Sequence, residues 1–214
     1  MKYAGIAKLH HASLTKNLKS IQVFSFFCFL FLCYFTVQID LKNIWVIAPF
    51  ALLTLLYAIP FLSGFQKSLR AVSYLKIIIV AMVWSGTTVL LPIYNANYPI
   101  DSPVFFMFLQ RFLLVLVLIL PFDIRDMQYD AISLQTIPRK IGVANTKKLG
   151  FVILMVCLLL EFFITDKPIE KRVFFIVFMI ILVFLMRAKQ EQSKYYSSFW
   201  VEAIPICWYL LLLF

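Results

Sequence analysis

Residues 104–130 read VFFMFLQRFLLVLVLILPFDIRDMQYD. From Val104 to Phe122 the run is apolar except for Gln110 and Arg111. A helix of that length, rising ~1.5 Å per residue, comes close to the ~30 Å of a bilayer's hydrocarbon core. The rest of the chain has the same character. It is 63% hydrophobic and 17% aromatic, only 14% of its residues are charged, and its mean hydropathy is +0.93. Those values lie outside the range of soluble globular domains. Comparable runs fall at about 21–39, 44–62, 75–93, 149–165, 173–187 and 199–214. Backbone polar groups cannot go unpaired in lipid, and barrel strands would be about half as long and would alternate, so these runs are expected to be helices. The expected class is all-α, a polytopic membrane bundle of about seven transmembrane helices. No repeat or Gly/Ser-rich linker divides it, so residues 1–214 read as one transmembrane domain.

Charge sets the expected orientation. The basic arm at residues 1–20 and the loops after the second, fourth and sixth runs hold fifteen of the twenty Lys and Arg residues. Lys42, Lys167, Lys171 and Arg172 fall on the opposite side. The positive-inside rule then places the N-terminus and the 123–148 loop in the cytoplasm, with a bacterial inner membrane as the expected location. The first run follows a basic arm as a signal peptide would. It is longer than a typical h-region and lacks a small-residue cleavage site, so it reads as a mature helix. The net charge of +10 is mostly this topology signal. No nucleic-acid partner is expected, because the aromatics lie in the membrane runs rather than on a basic soluble face. Cys28, Cys33, Cys157 and Cys207 all lie in apolar runs without CxxC pairing, and the only histidines, His10 and His11, lie in the basic arm. Disulfide scaffolds, zinc sites and His-based catalytic pairs are therefore not expected.

The polar stretch after Phe122 carries the chemistry. Asp123, Asp126 and Asp130 are spaced i, i+3 and i+7, which stacks them on one face of a helix. Three aligned negative charges repel unless they are solvated or share a cation. Pro121 is expected to loosen or end the preceding helix, and Pro138 limits the extent of a following one, so the acids should lie at the rim of the bundle. Magnesium suits such a row, because it takes oxygen ligands and is usually held by one or two carboxylates together with substrate phosphates. The plain alternative is a polar loop whose acids balance Arg125, Arg139 and Lys140.

DIRDMQYD followed by LQTIPRKIG resembles the second aspartate-rich motif of the UbiA superfamily of intramembrane prenyltransferases, with its D-x-x-D-x-x-x-D and T-[LI]-P…[LI]-G tail at Thr136, Ile137, Pro138, Ile141 and Gly142. The segment LYAIPFLSGFQKSLRAVSYLK resembles the family's Tyr-x-x-Pro helix end and basic loop, two helices before the motif. The resemblance implies a nine-helix fold around a cavity open to the membrane. It implies transfer of a polyprenyl group from a prenyl diphosphate to a hydrophobic acceptor such as an aromatic or quinone precursor. Asp123, Asp126 and Asp130 are then the Mg2+-holding catalytic set, with Lys67, Arg70 and Arg125 on the diphosphate.

The same resemblance places two further helices and a first aspartate motif ahead of residue 20, yet no Asp or Glu precedes Asp40. The chain is expected to be N-terminally truncated, its first twenty residues reading as an inter-helix loop. A degenerate member, or a subfamily with another first loop, are the alternatives.

Gln110 and Arg111 fall in the middle third of their run, where an unpaired charge costs at least ~2.5 kcal/mol. They are expected either to line a cavity together with Trp84 or to pair with an acid. Glu202 and Glu161 are the candidate partners, Glu161 being expected to snorkel from its helix end. Ser85, Thr87 and Thr88 read as packing contacts or as cavity lining. Besides the enzyme, two other readings stay open: an inactive scaffold that binds isoprenoid lipid or a partner membrane protein, and a small transporter.

Overall fold

The computed structural model describes residues 18–59, 73–127, 136–193 and 195–213. All regular structure among them is helical. In chain order the helices are α1 (Leu18–Val37), α2 (Leu41–Ala58), α3 (Ser73–Ser85), which continues through a π-helical turn at Gly86–Leu90 into α4 (Leu91–Asn95), α5 (Ser102–Asp126), α6 (Ile137–Ile164) and α7 (Pro168–Arg187). A second π-helical turn, Tyr196–Val201, precedes α8 (Ile204–Leu213). Among the described residues, five segments are long and apolar enough to cross a membrane: Leu18–Val37, Leu41–Ala58, Leu75–Asn95, Ser102–Asp126 and Tyr196–Leu213. Together they mark a multi-pass membrane protein. Helix α6 carries Lys147, Lys148 and Glu161, and α7 opens with Glu170, Lys171 and Arg172.

The chain divides into a unit at Met1–Ile44 and a unit at Trp45–Phe214. In the first, α1 carries apolar side chains round its whole circumference and buries none of them. That pattern suits lipid rather than a packed protein face. The second unit holds the core.

Helix α5 is the axis of that core. Its start is fixed by Asp101, whose side chain accepts a hydrogen bond from the Val104 amide at 3.2 Å, with Pro103 in the first turn. Gln110, Leu114, Val117, Pro121 and Ile124 are buried along it at alternating spacings of four and three, a narrow seam. On α6 the matching stripe is Thr146, Gly150, Leu154, Cys157 and Glu161. The two helices run antiparallel. Gln110 meets Cys157 and Glu161, while a Cβ placed on Gly150 would stand 2.9 Å from Leu120 and 2.6 Å from Leu185 of α7. Glycine at 150 is thus what lets three helices close up. Phe174, Val177, Phe178, Ile181 and Leu185 of α7, with Val201 and Ile204, complete the cluster.

Pro121 does not end α5, which runs through it to Asp126. The amide Nε2 of Gln192 donates to the Pro121 carbonyl at 3.1 Å. In α6, Thr136 is the N-cap, its carbonyl accepting from the amides of Arg139 and Lys140, both at 3.1 Å. Pro138 sits in the first turn, and Gly142, at φ 81°, interrupts the helix. The Thr-Ile-Pro…Ile-Gly tail therefore has a local explanation: a cap, a proline where its missing N–H costs nothing, and a left-handed position that favours glycine.

The hydroxyls of Ser85, Thr87 and Thr88 bond back to the carbonyls of Ala81, Val83 and Trp84 at 2.8, 2.8 and 2.7 Å. These bonds satisfy the hydroxyls within their own helix. At the π-helical turn, Gly86 is covered by the ring of Phe50 from α2, in the space a Cβ would need. Gly86→Val is expected to push α2 off this face and to lower the thermal unfolding midpoint in detergent, at a cost of about 1–3 kcal/mol for an overpacked contact. An unchanged midpoint would show that the close approach does not matter.

Candidate functional site

Two groups of polar side chains lie in the second unit, one at the C-terminal end of α5 and one within the membrane-spanning part of the bundle. The first begins with the buried Asp123, which is 1% exposed. Its Oδ1 lies 3.8 Å from the Lys76 ammonium of α3. Three residues on, Asp126 accepts from Arg125 Nε at 2.7 Å. The same guanidinium donates through Nη1 to Ser197 Oγ at 3.0 Å, and Gln192 Nε2 reaches that hydroxyl at 3.4 Å. Ser197 is fully buried in the π-helical turn Tyr196–Val201, so the extra residue in that turn places a hydroxyl on an arginine. Arg139 Nη2 donates to the Met127 carbonyl at 2.6 Å, satisfying a carbonyl just past the end of α5. Thr136 is 3% exposed, and its Oγ1 has no hydrogen-bond partner among the described residues.

Of the residues singled out from the sequence, the structure brings Asp123, Asp126 and Arg125 to one helix end. Asp130, Lys67 and Arg70 lie outside the described residues, as do His10 and His11. No group of three or more His, Cys, Asp or Glu side chains with metal-binding geometry occurs among the described residues. Lys76, Gln192, Ser197 and the hydroxyl of Thr136 were not anticipated as members. Lys76 sits in a basic segment and was legible as a charge. Ser197 and Gln192 lie far from the aspartates in sequence, and nothing in their spacing points there.

The second group is a chain of hydrogen bonds along the α5–α6 seam. Gln110, fully buried, donates through Nε2 to Glu161 Oε2 at 2.7 Å and to the Cys157 carbonyl at 3.1 Å. Its Oε1 accepts from Arg111 Nη1 at 2.5 Å. The thiol of Cys157 donates to the Gln110 carbonyl at 3.8 Å. Arg111 lays its guanidinium over the Trp208 ring of α8, 3.8 Å from the centroid. An amide thus bridges a guanidinium and a carboxylate, so opposite charges balance without direct contact.

Glu161 does not snorkel. It is only 7% exposed, because it occupies the same buried stripe as Cys157 and Leu154, and the bond to Gln110 holds it there. Glu202 is exposed and takes no part. Trp84 is 58% exposed. Arg111 is thus relayed to Glu161 through Gln110.

Comparison with known proteins returns nothing: no family model, no curated protein and no solved structure matches this chain.

Both groups are testable by unfolding. Lys76→Met, which removes the ammonium facing the Asp123 carboxylate, is expected to cost on the order of 2 kcal/mol, below the usual figure for a broken buried pair because Lys76 is partly exposed. Lys76→Met with Asp123→Asn should regain most of that loss, and a double mutant no better than the single would show the pair to be uncoupled. Gln110→Leu separates Arg111 from Glu161 and should destabilise by at least ~2 kcal/mol in detergent unfolding, with a changed Trp208 emission. Neutral behaviour of this variant would remove the bridge from the account of α5–α6 packing.

Proposed function

We propose that the chain is a membrane prenyltransferase of the UbiA kind, or the larger part of one. In this reading all seven apolar runs cross the bilayer of a bacterial inner membrane, with the C-terminal end of α5 in the cytoplasm. The substrates are a prenyl diphosphate and a hydrophobic acceptor such as an aromatic or quinone precursor. The observation that carries this reading is the gathering of two carboxylates and two cations at one helix end: Asp123, Asp126, Lys76 and Arg125.

These residues suit magnesium. Carboxylate oxygens are hard donors, and the ion normally completes its shell with waters and substrate phosphates rather than with a full protein cage. Asp123 and Asp126 would hold it, together with Asp130. When bound, the ion supplies charge neutralisation for the leaving diphosphate. Arg125 presents a planar fork suited to phosphate oxygens, and with a ligand in place it exchanges Asp126 for phosphate while Ser197 keeps it oriented. Lys76 offers a partly exposed ammonium beside the more buried acid. Lys67 and Arg70 belong to the same diphosphate-binding set in this reading.

A second reading has its own observation. Both carboxylates already face cations, Asp123 at 3.8 Å and Asp126 at 2.7 Å, which balances the rim without any ion. That favours an inactive scaffold that binds isoprenoid lipid.

Release of inorganic diphosphate from a mixture of prenyl diphosphates, in membranes containing the protein and magnesium, separates the two. The enzyme reading expects magnesium-dependent release, reduced at least ~100-fold in Asp126→Ala and in Asp130→Ala. Retention of prenyl diphosphate without release supports the scaffold, and release untouched by either substitution removes these aspartates from the mechanism.

A further inference from the structure

The outward face of α7 carries a groove of roughly 370 Å³, lined by Phe175, Ile176, Met179, Ile180, Val183 and Phe184. Its wall contains no polar side chain. Phe175, Ile176, Met179 and Val183 are each between 44% and 51% exposed. The groove spans ten residues of one helix, Phe175 to Phe184, a rise of about 14 Å at ~1.5 Å per residue and close to half the ~30 Å hydrocarbon thickness. That is the depth of one leaflet. Its lower end is braced by Tyr196, whose hydroxyl donates to the Phe184 carbonyl at 2.6 Å and whose ring lies 5.5 Å from that of Phe184.

A basic cluster begins where the groove ends. Lys147 reaches from α6 to the last turn of α7, donating through Nζ to the Met186 carbonyl at 2.7 Å. This sets its ammonium at the last turn of α7, whose final residue is Arg187, with Lys148 next to it in sequence and Lys189 just past the helix end. Partial burial holds the Lys147 ammonium below the usual lysine range, and the charge of Lys189 adds to the effect. Glu191 is exposed nearby and forms no ion pair with these cations among the described residues. Like charges gathered at the membrane–water boundary favour an anion there.

We infer that this face of α7 is a binding site for an anionic phospholipid, with an acyl chain in the Phe175–Phe184 groove and the phosphate on Lys147, Arg187 and Lys189. The one-leaflet depth and the wholly apolar wall fit a lipid chain, and the cationic end selects an acidic headgroup over a zwitterionic one. A second copy of the chain would have no reason to end its contact at that depth. The site rests on α7 crossing the bilayer, as in the proposed reading, but not on prenyl transfer, since it lies on α7 rather than at the end of α5 and needs no turnover.

Native mass spectrometry of the full chain in detergent, titrated with phosphatidylglycerol or with phosphatidylcholine of the same acyl composition, tests it. Phosphatidylglycerol should stay bound at lower lipid concentration. Each cation near an anionic headgroup contributes about fivefold in affinity, so Lys147→Gln/Lys189→Gln should weaken phosphatidylglycerol retention by roughly 25-fold and leave phosphatidylcholine unchanged. Arg187→Gln/Lys189→Gln, which keeps the Lys147 hydrogen bond, should act in the same direction. Met179→Trp, which fills the groove, should weaken both lipids. Equal retention of the two lipids, an acidic-lipid preference indifferent to both double variants, or a dimer mass that excludes lipid would each overturn the proposal.

Discussion

The close approach of α5 and α6 is the constraint on which the rest of the second unit depends. Lipid is as apolar as leucine, so helices that meet in a membrane gain little from removing apolar surface from water and must rely on tight packing and hydrogen bonds. Both are present along this one seam. Gly150 removes the side chain that would hold α6 away from Leu120 and Leu185, and Gln110 ties α5 to Glu161 and to the Cys157 carbonyl. Because the helices are antiparallel, the glycine contact and the glutamine contact fix the register at two points. A sliding motion cannot satisfy one without breaking the other.

That register also explains why a charge pair is tolerated in the interior. Burying Arg111 and Glu161 separately would be costly, and even a direct pair repays its desolvation only when the remaining donors and acceptors are met. The Gln110 amide has one donor side and one acceptor side, and it uses each on the partner it suits. The Trp208 ring then covers the guanidinium from α8. Gln110, Arg111 and Glu161 therefore balance charge, and with Trp208 they join three helices.

How much of this was legible follows from what sequence encodes. Long apolar runs announced the helices, because lipid permits little else, and Arg111 announced itself as a charge at membrane depth. The partner of Arg111 was harder. Glu161 lies near the end of α6, a position that suggests snorkelling, but its face of the helix decides its fate, and that face is shared with Cys157 and Leu154. Position along a helix is easily read, while the face that meets a neighbour depends on which helices pair. The π-helical turns at Gly86–Leu90 and Tyr196–Val201 had no signature in composition. Without the second, the link from Ser197 to Arg125 could not be foreseen.

At the α5 end the same distinction holds between residue types and their partners. The aspartates stood out by spacing, yet i and i+3 on one helix do not share an environment here: Asp123 turns inward to Lys76, whereas Asp126 is partly exposed and meets Arg125. A buried acid with an ammonium 3.8 Å away is held mainly by charge, and a surface acid at 2.7 Å mainly by a directional bond, so the two respond differently to an arriving ligand. The exposed pair can exchange partners with small rearrangement, because solvent can reach both groups while they part. The inward pair cannot, since separating it leaves a carboxylate in the core. Any ligand at this end would therefore first meet Asp126 and Arg125. Asp123, with Lys76, is the fixed member against which they move.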